Sequence, residues 1–183
     1  MNNSPHLHLP ISVRLVMLKV LAALLPGIAV YVWFFGAAIL VQIALASAAA
    51  LAGEAAMLRL RGKPVGLFLA DGSALVTAWL IALTFPPIAP WWLIVSATLF
   101  AIVVAKHLYG GLGQNPFNPA MVAFCVAIIA FPALMSQWPA VGFTDFAAQM
   151  QVIFQSQSAQ DAVTMATPLD ALRTGLRQAA TPM

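Results

Sequence analysis

Charge is what this sequence has least of. Asp, Glu, Lys and Arg make up only 7% of its 183 residues, while 62% are hydrophobic and the mean hydropathy is +0.94. A soluble domain carries about a quarter charged residues. So few ionic groups cannot cover a soluble surface, and lipid is therefore the expected solvent. Cysteine is nearly absent as well. The single Cys125 excludes an internal disulfide and any multi-cysteine metal or iron–sulfur cluster held by this chain alone. Lys and Arg are spread thinly, with no basic patch interleaved with stacking aromatics, so the net charge of +3 does not mark a nucleic-acid binder. No stretch alternates with period two, which argues against a β-barrel. The N-terminal MNNSPHLHLPIS lacks a charged region leading into a short apolar stretch and a small-residue cleavage site, so no cleaved signal peptide is expected.

What is present is a series of apolar runs. Five spans are predicted, over about 15–35, 37–58, 66–85, 91–107 and 118–135. Each has about the 17–25 residues that cross a bilayer as a helix, the only open-ended structure that satisfies the backbone in lipid. The fold class is thus all-α, a polytopic helical membrane protein. Its predicted organisation is a tail over 1–13, a transmembrane domain over 14–135 and a terminal segment over 136–183. No internal repeat occurs. The odd span count, with the ending TPM, fits one half of an inverted-repeat fold.

Flanking charges orient the spans. Arg14 and Lys19 lie at the start of the first, Arg59, Arg61 and Lys63 between the second and third, and Lys106 and His107 at the end of the fourth. The opposite turns carry no Lys or Arg, and Trp33, Trp91, Trp92 and Trp138 fall at that other interface. By the positive-inside rule the N-terminus is cytoplasmic and Ser136 onward lies outside.

Several motifs have two physical readings. In GGLGQNPFNPA, Gly110 to Ala120, both Asn115 and Asn118 precede proline and are pushed out of α geometry. Asn118 can cap the fifth span with Pro119 at its first position, or the whole stretch can dip between helices against a cavity or ligand. The glycines do not form a dinucleotide fingerprint. A single Asn118-Pro119-Ala120 box falls short of the two that an aquaporin needs. Asp71-Gly72 marks a turn after which Ser73 can cap a helix. Ser73, Thr77 and Thr84 share a stripe that can bond neighbouring helices or line a pathway. Glu54, Lys106 and Lys19 sit near span ends, either as snorkelling charges or as sites. Cys125 reads as a small buried hydrophobe, and His6 and His8 as tail residues.

The polar segment DAVTMATPLDALRTG, Asp161 to Gly175, stands apart. Thr167 suits an N-cap, Pro168 the first helical position and Asp170 the third, while Leu169, Leu172 and Leu176 make one apolar stripe. The same helix start suits a phosphate, because free N–H groups and the helix dipole favour an anion and Arg173 offers a charged partner.

PGIAVYVWFFG, LTFPPIAPWW, KHLYGGLGQNPFNPAM and DAVTMATPLDALRT together resemble the D subunit of the Rnf ion-translocating electron-transport complex. That family is related to the B subunit of the sodium-pumping NADH:quinone reductase. The resemblance covers essentially the whole chain. It implies covalent FMN, held as a phosphoester by the last threonine of an [S/T]-x-A-T sequence. Thr164-Met165-Ala166-Thr167 matches, so Thr167 is the implied attachment point, Thr164 and Asp161 belong to the acceptor pattern, and Arg173 stands beside it. A flavin transferase that installs FMN from FAD is an implied partner, together with the other Rnf subunits and membrane lipid. Ala162 stands where glycine is common, and the stretch from Met135 to Asp161 is shorter than in many relatives. Family members continue through about five further helices, where a second, non-covalent flavin and ion-pathway residues would be sought.

The expectation is a flavin-carrying subunit of a redox-driven ion pump in a bacterial inner membrane, with Thr167 on the periplasmic side and electrons passing between ferredoxin and NAD in the whole complex. Two rivals remain open: a channel or secondary transporter in which Thr167 is only a helix cap, and a structural scaffold within the same complex.

Overall fold

The computed structural model describes residues 12–155. Among them there is no strand, and helices follow one another in the order α1 (Val13–Phe35), α2 (Ala38–Leu60), α3 (Val65–Leu69), α4 (Ser73–Thr84), α5 (Trp91–Phe100), a π-helical continuation of α5 (Ala101–His107), α6 (Pro119–Ala130), α7 (Pro132–Met135) and α8 (Phe146–Phe154).

Local chemistry sets these boundaries. Ser12 caps α1 by accepting from the Leu15 amide at 3.2 Å. Gly36, at φ 81°, stops α1 while its N–H still reaches the Val32 carbonyl. Glycine is required there because the left-handed φ is costly for other residues and because a Cβ would overlap the Gln149 amide. Asn118 accepts from the Ala120 amide at 3.0 Å, with Pro119 in the first turn of α6. The capped-turn reading of Asn118 is therefore the observed one.

Only α1 and α2, with 23 residues each, are long and apolar enough to cross a membrane by themselves among the described residues. The predicted third span is broken. Asp71-Gly72 separates the five-residue α3 from the twelve-residue α4. The predicted fifth span ends early, because Pro132 cannot continue α6, which also has twelve residues. Twelve residues extend about 18 Å, against about 30 Å of hydrocarbon.

The core is built on small residues at helical spacing. Ala46 and Ala50 of α2, Ala74, Ala78 and Ala82 of α4, Ala97 of α5, Ala101 of the π segment, and Ala120, Ala123 and Ala127 of α6 are all buried in one cluster. In lipid no hydrophobic force pulls helices together, so close backbone approach over such stripes supplies the packing. By contrast α1 buries only Leu21 and Ile28 and lies at the edge.

Amide side chains close one end of the bundle. Gln42 of α2 donates to the carbonyls of Pro87, at 3.2 Å, and Ala89, at 2.6 Å, within the buried turn from α4 to α5. Gln149 of α8 accepts from the Ala38 amide at 3.0 Å and donates at 2.7 Å to the carbonyls of Phe35 and Phe143. It therefore caps α2 from 111 residues away, where Ala37 has no side chain to do so. Trp138 packs edge-on to Phe35, and Trp92 to Phe131, at this same end.

Candidate ion cluster and its surroundings

The opposite end of the bundle holds the buried ionisable groups. Glu54 lies in the last two turns of α2, and Lys106 and His107 close the π-helical segment. Their exposures are 3%, 2% and 4%. The Lys106 ammonium donates to both carboxylate oxygens of Glu54 and to the Ser73 hydroxyl, each at 2.8 Å. All three ammonium protons and both carboxylate oxygens thus have a partner, the condition under which a buried pair can be retained. Neither Glu54 nor Lys106 snorkels. They face each other rather than the interface. Lys19, grouped with them on sequence grounds, is exposed on α1 and joins no part of the cluster.

Two backbone irregularities bring the groups together. The first is the π turn, where the Leu108 amide reaches back five residues to the Val103 carbonyl and the Gly111 amide to that of Lys106, both at 3.0 Å. Wide turns of this kind recur at functional positions in helices. Here the consecutive Lys106 and His107 are both directed at Glu54. The second is the break before α4. The Asp71 carboxylate, not the Ser73 hydroxyl, caps that helix, accepting from the Ser73 amide at 2.7 Å. This corrects the expected capping role of Ser73. Its hydroxyl is left to receive Lys106.

His107 is held from its other side by Arg61, which donates to the His107 carbonyl at 3.2 Å and approaches Nδ1 at 3.4 Å. Arginine can only donate, so Nδ1 accepts, and a neutral ring carries its proton on Nε2. Nε2 lies 3.1 Å from a Glu54 oxygen. It lacks the alignment of a hydrogen bond and has no other partner among the described residues, so the contact is one of proximity and charge.

Two cavities meet at the cluster. One, of about 300 Å³, has Glu54 and His107 in its wall with Arg61, Lys63 and Asp71. The other, of about 280 Å³, has Lys106 and Ser73 in its wall and extends along α4 past Thr77 to Leu80. Asn115 and Asn118 also line it, so the Gly110–Ala120 stretch, although a capped turn, does border a cavity. Of the predicted hydroxyl stripe, Ser73 and Thr77 face this space. Thr84 does not line it; the hydroxyls of Thr77 and Thr84 donate to carbonyls of their own helix, those of Ser73 and Ile81, each at 3.0 Å. Cys125 is not buried as expected. It is exposed in an apolar groove of about 730 Å³ between α6 and the end of α5.

Asp161, Thr164, Thr167 and Arg173 lie outside the described residues, as do His6 and His8. The last described helix, α8, sits at the end of the bundle away from the ion cluster, tied to the α1–α2 turn by Gln149. Sequence reasoning missed Gln149 and Gln42. For Gln42 the available signal was a lone amide in an apolar helix, a usual device for joining helices in lipid.

These features define a helical membrane protein with a charge-balanced cluster buried in its bundle. The chain belongs to the NQR2, RnfD, RnfE family, whose profile matches residues 1–182. Over 195 residues it is 46% identical to a protein of Aeromonas hydrophila described as the D subunit of an ion-translocating oxidoreductase complex, a match covering 98% of this chain and 56% of that protein. The protein of the same description from Citrobacter koseri is 45% identical over 193 residues, covering 95% and 54%. One from Escherichia coli is 46% identical over 191 residues, covering 96% and 54%. The chain thus spans about half the length of the curated relatives it matches.

Proposed function

We propose that this chain is the flavin-carrying membrane part of a redox-driven ion-translocating complex, with FMN esterified to Thr167. The observation that carries the reading is the Thr164-Met165-Ala166-Thr167 acceptor sequence, followed by Pro168 and Arg173, in a chain of this family with close similarity to ion-translocating oxidoreductase subunits. The donor set suits the group. The Thr167 hydroxyl supplies the ester oxygen, Arg173 a cation for the phosphate, and Asp161 and Thr164 complete the pattern offered to a flavin transferase. When bound, the isoalloxazine would supply one- and two-electron chemistry that no side chain of this chain performs.

The described residues contribute a scaffold. Gln149 pins α8 to the α1–α2 turn, which fixes the point from which the chain leaves toward Asp161 and Thr167. By the distribution of Lys and Arg, this end faces the periplasm and the Glu54–Lys106 end the cytoplasm. The membrane is a bacterial inner membrane, and the partners are the other subunits of the complex, the transferase and lipid. In the complete assembly, electrons pass between ferredoxin and NAD branches, and any second, non-covalent flavin would depend on regions beyond these residues.

The test is in-gel flavin fluorescence of the denatured polypeptide, produced together with its transferase. A fluorescent band that is lost in Thr167→Ala is expected. A dark wild-type band would overturn the reading and favour a transporter without a redox cofactor.

A further inference from the structure

We propose that Glu54, Lys106 and His107 form a proton relay between the two cavities at this end of the bundle. The proposal rests on the reading of the chain as part of an ion-translocating complex, and it assigns to that complex a specific cation and a specific site.

The placement of the groups is the first argument. Glu54 and His107 belong to the wall of the first cavity, Lys106 and Ser73 to that of the second, and the 2.8 Å contacts of the Lys106 ammonium cross between them. Among the described residues Lys106 is the one ionisable side chain on the second cavity. Arg61, Lys63 and Asp71 face the first. Arg14 and Lys19 of α1 are exposed and line neither, while α4 and α6 direct no acid or base at the pair. A proton entering from the first cavity therefore meets a carboxylate and an imidazole. The ammonium, bonded to Glu54 on one side and Ser73 on the other, links the two walls, which also adjoin at Leu112.

Energetics supply the second argument. A buried pair is often no more stable than apolar residues of the same shape, so its presence in lipid marks a site by default. Packing alone would not need a third ionisable group. Yet His107 Nε2 is held 3.1 Å from Glu54 without the alignment of a hydrogen bond. Arg61 fixes the ring so that this nitrogen is the one facing the carboxylate. The oxygens around Lys106 Nζ would suit a sodium ion, but the ammonium occupies their centre.

The steps balance without an external reagent. The Glu54 carboxylate takes a proton from water in the first cavity, beside the His107 Nε2–H, whose nitrogen lies 3.1 Å away. With Glu54 neutral, Lys106 gives one of its protons to water in the second cavity, past the Ser73 hydroxyl, and becomes an amine. The amine then takes the proton held by Glu54, restoring the ion pair. One proton has crossed and every group has returned to its starting charge. Thr77, one turn further along α4, continues the polar wall.

The test uses the complete complex in sealed vesicles, with an entrapped pH dye and electron flow recorded together. In Glu54→Gln and Lys106→Met, the protons moved per electron should fall at least about tenfold, the scale of a lost proton-transfer group. His107→Gln keeps the pair and decides the matter if the charge variants do not assemble. Protons moved per electron should fall in it as well, although the Glu54–Lys106 contacts remain. Wild-type proton yield in assembled charge variants, or in His107→Gln, would overturn the relay. So would sodium movement with no proton movement in the wild type. A wild-type complex that carries electrons but moves no cation would instead overturn the ion-translocating reading beneath it.

Discussion

Removing Lys106 alone should cost more than removing Lys106 and Glu54 together. In Lys106→Met the carboxylate keeps no hydrogen-bond donor, since both its oxygens depend on the ammonium at 2.8 Å and His107 is misaligned. An uncompensated buried charge costs about 3–5 kcal/mol. In Glu54→Gln the ammonium retains the Ser73 hydroxyl and an amide oxygen in place of the carboxylate, so the loss should be smaller, about 2–3 kcal/mol. If the sites were independent the double variant would lose the sum, about 5–8 kcal/mol. It buries no charge, however, and should be less damaged than Lys106→Met alone, giving a coupling energy above about 2 kcal/mol. The assay is denaturant unfolding of the purified complex in mixed micelles, followed by tryptophan fluorescence. A double variant that loses the full sum, or a Lys106→Met variant within about 1 kcal/mol of wild type, would refute a desolvated pair. A double variant that recovers stability but not proton movement would separate the energetic role of the pair from its transport role.

The amide tie is open to the same treatment. Gln149→Leu removes three hydrogen bonds and leaves the Ala38 amide and the Phe35 carbonyl without their partner, a loss of about 2–4 kcal/mol, read as faster proteolysis within residues 136–155. Gly36→Ala should act in the same direction by displacing Gln149, and wild-type protease resistance in both variants would show that the tie is dispensable. Asp71→Ala should cost about 1 kcal/mol by uncapping α4. Ser73→Ala should leave that cap intact and instead weaken the Lys106 site, so the two variants should differ in proton yield more than in stability.

How much is legible in the sequence depends on how local each signal is. The long apolar runs of α1 and α2 and the Asn118-Pro119 cap depend on neighbouring residues and can be read directly. The breaks at Asp71-Gly72 and Pro132 are visible as turn signals too, but hydropathy averaged over a window runs straight through them. Glu54 and Lys106 each stand out, yet 52 residues separate them, and nothing local says that two span-end charges meet each other rather than the interface. The Gln149 cap on α2 is hidden for the same reason. Sequence gives the Ser73 hydroxyl to the backbone because it cannot show that Asp71 has already taken that role. The candidate flavin site is the opposite case. Thr164 to Arg173 is a compact local motif whose reading uses no tertiary information, and it lies outside the described residues.

The wide turn at Ala101–His107 has an evolutionary consequence. Such a turn is an ordinary helix carrying one surplus residue. Loss of a single codon within it would restore regular winding and remove the widened spacing. Lys106 and His107 could then no longer both meet Glu54. Descendants of this gene should therefore tolerate substitutions over 101–105 while the length of the stretch, with Lys106 and His107, stays fixed.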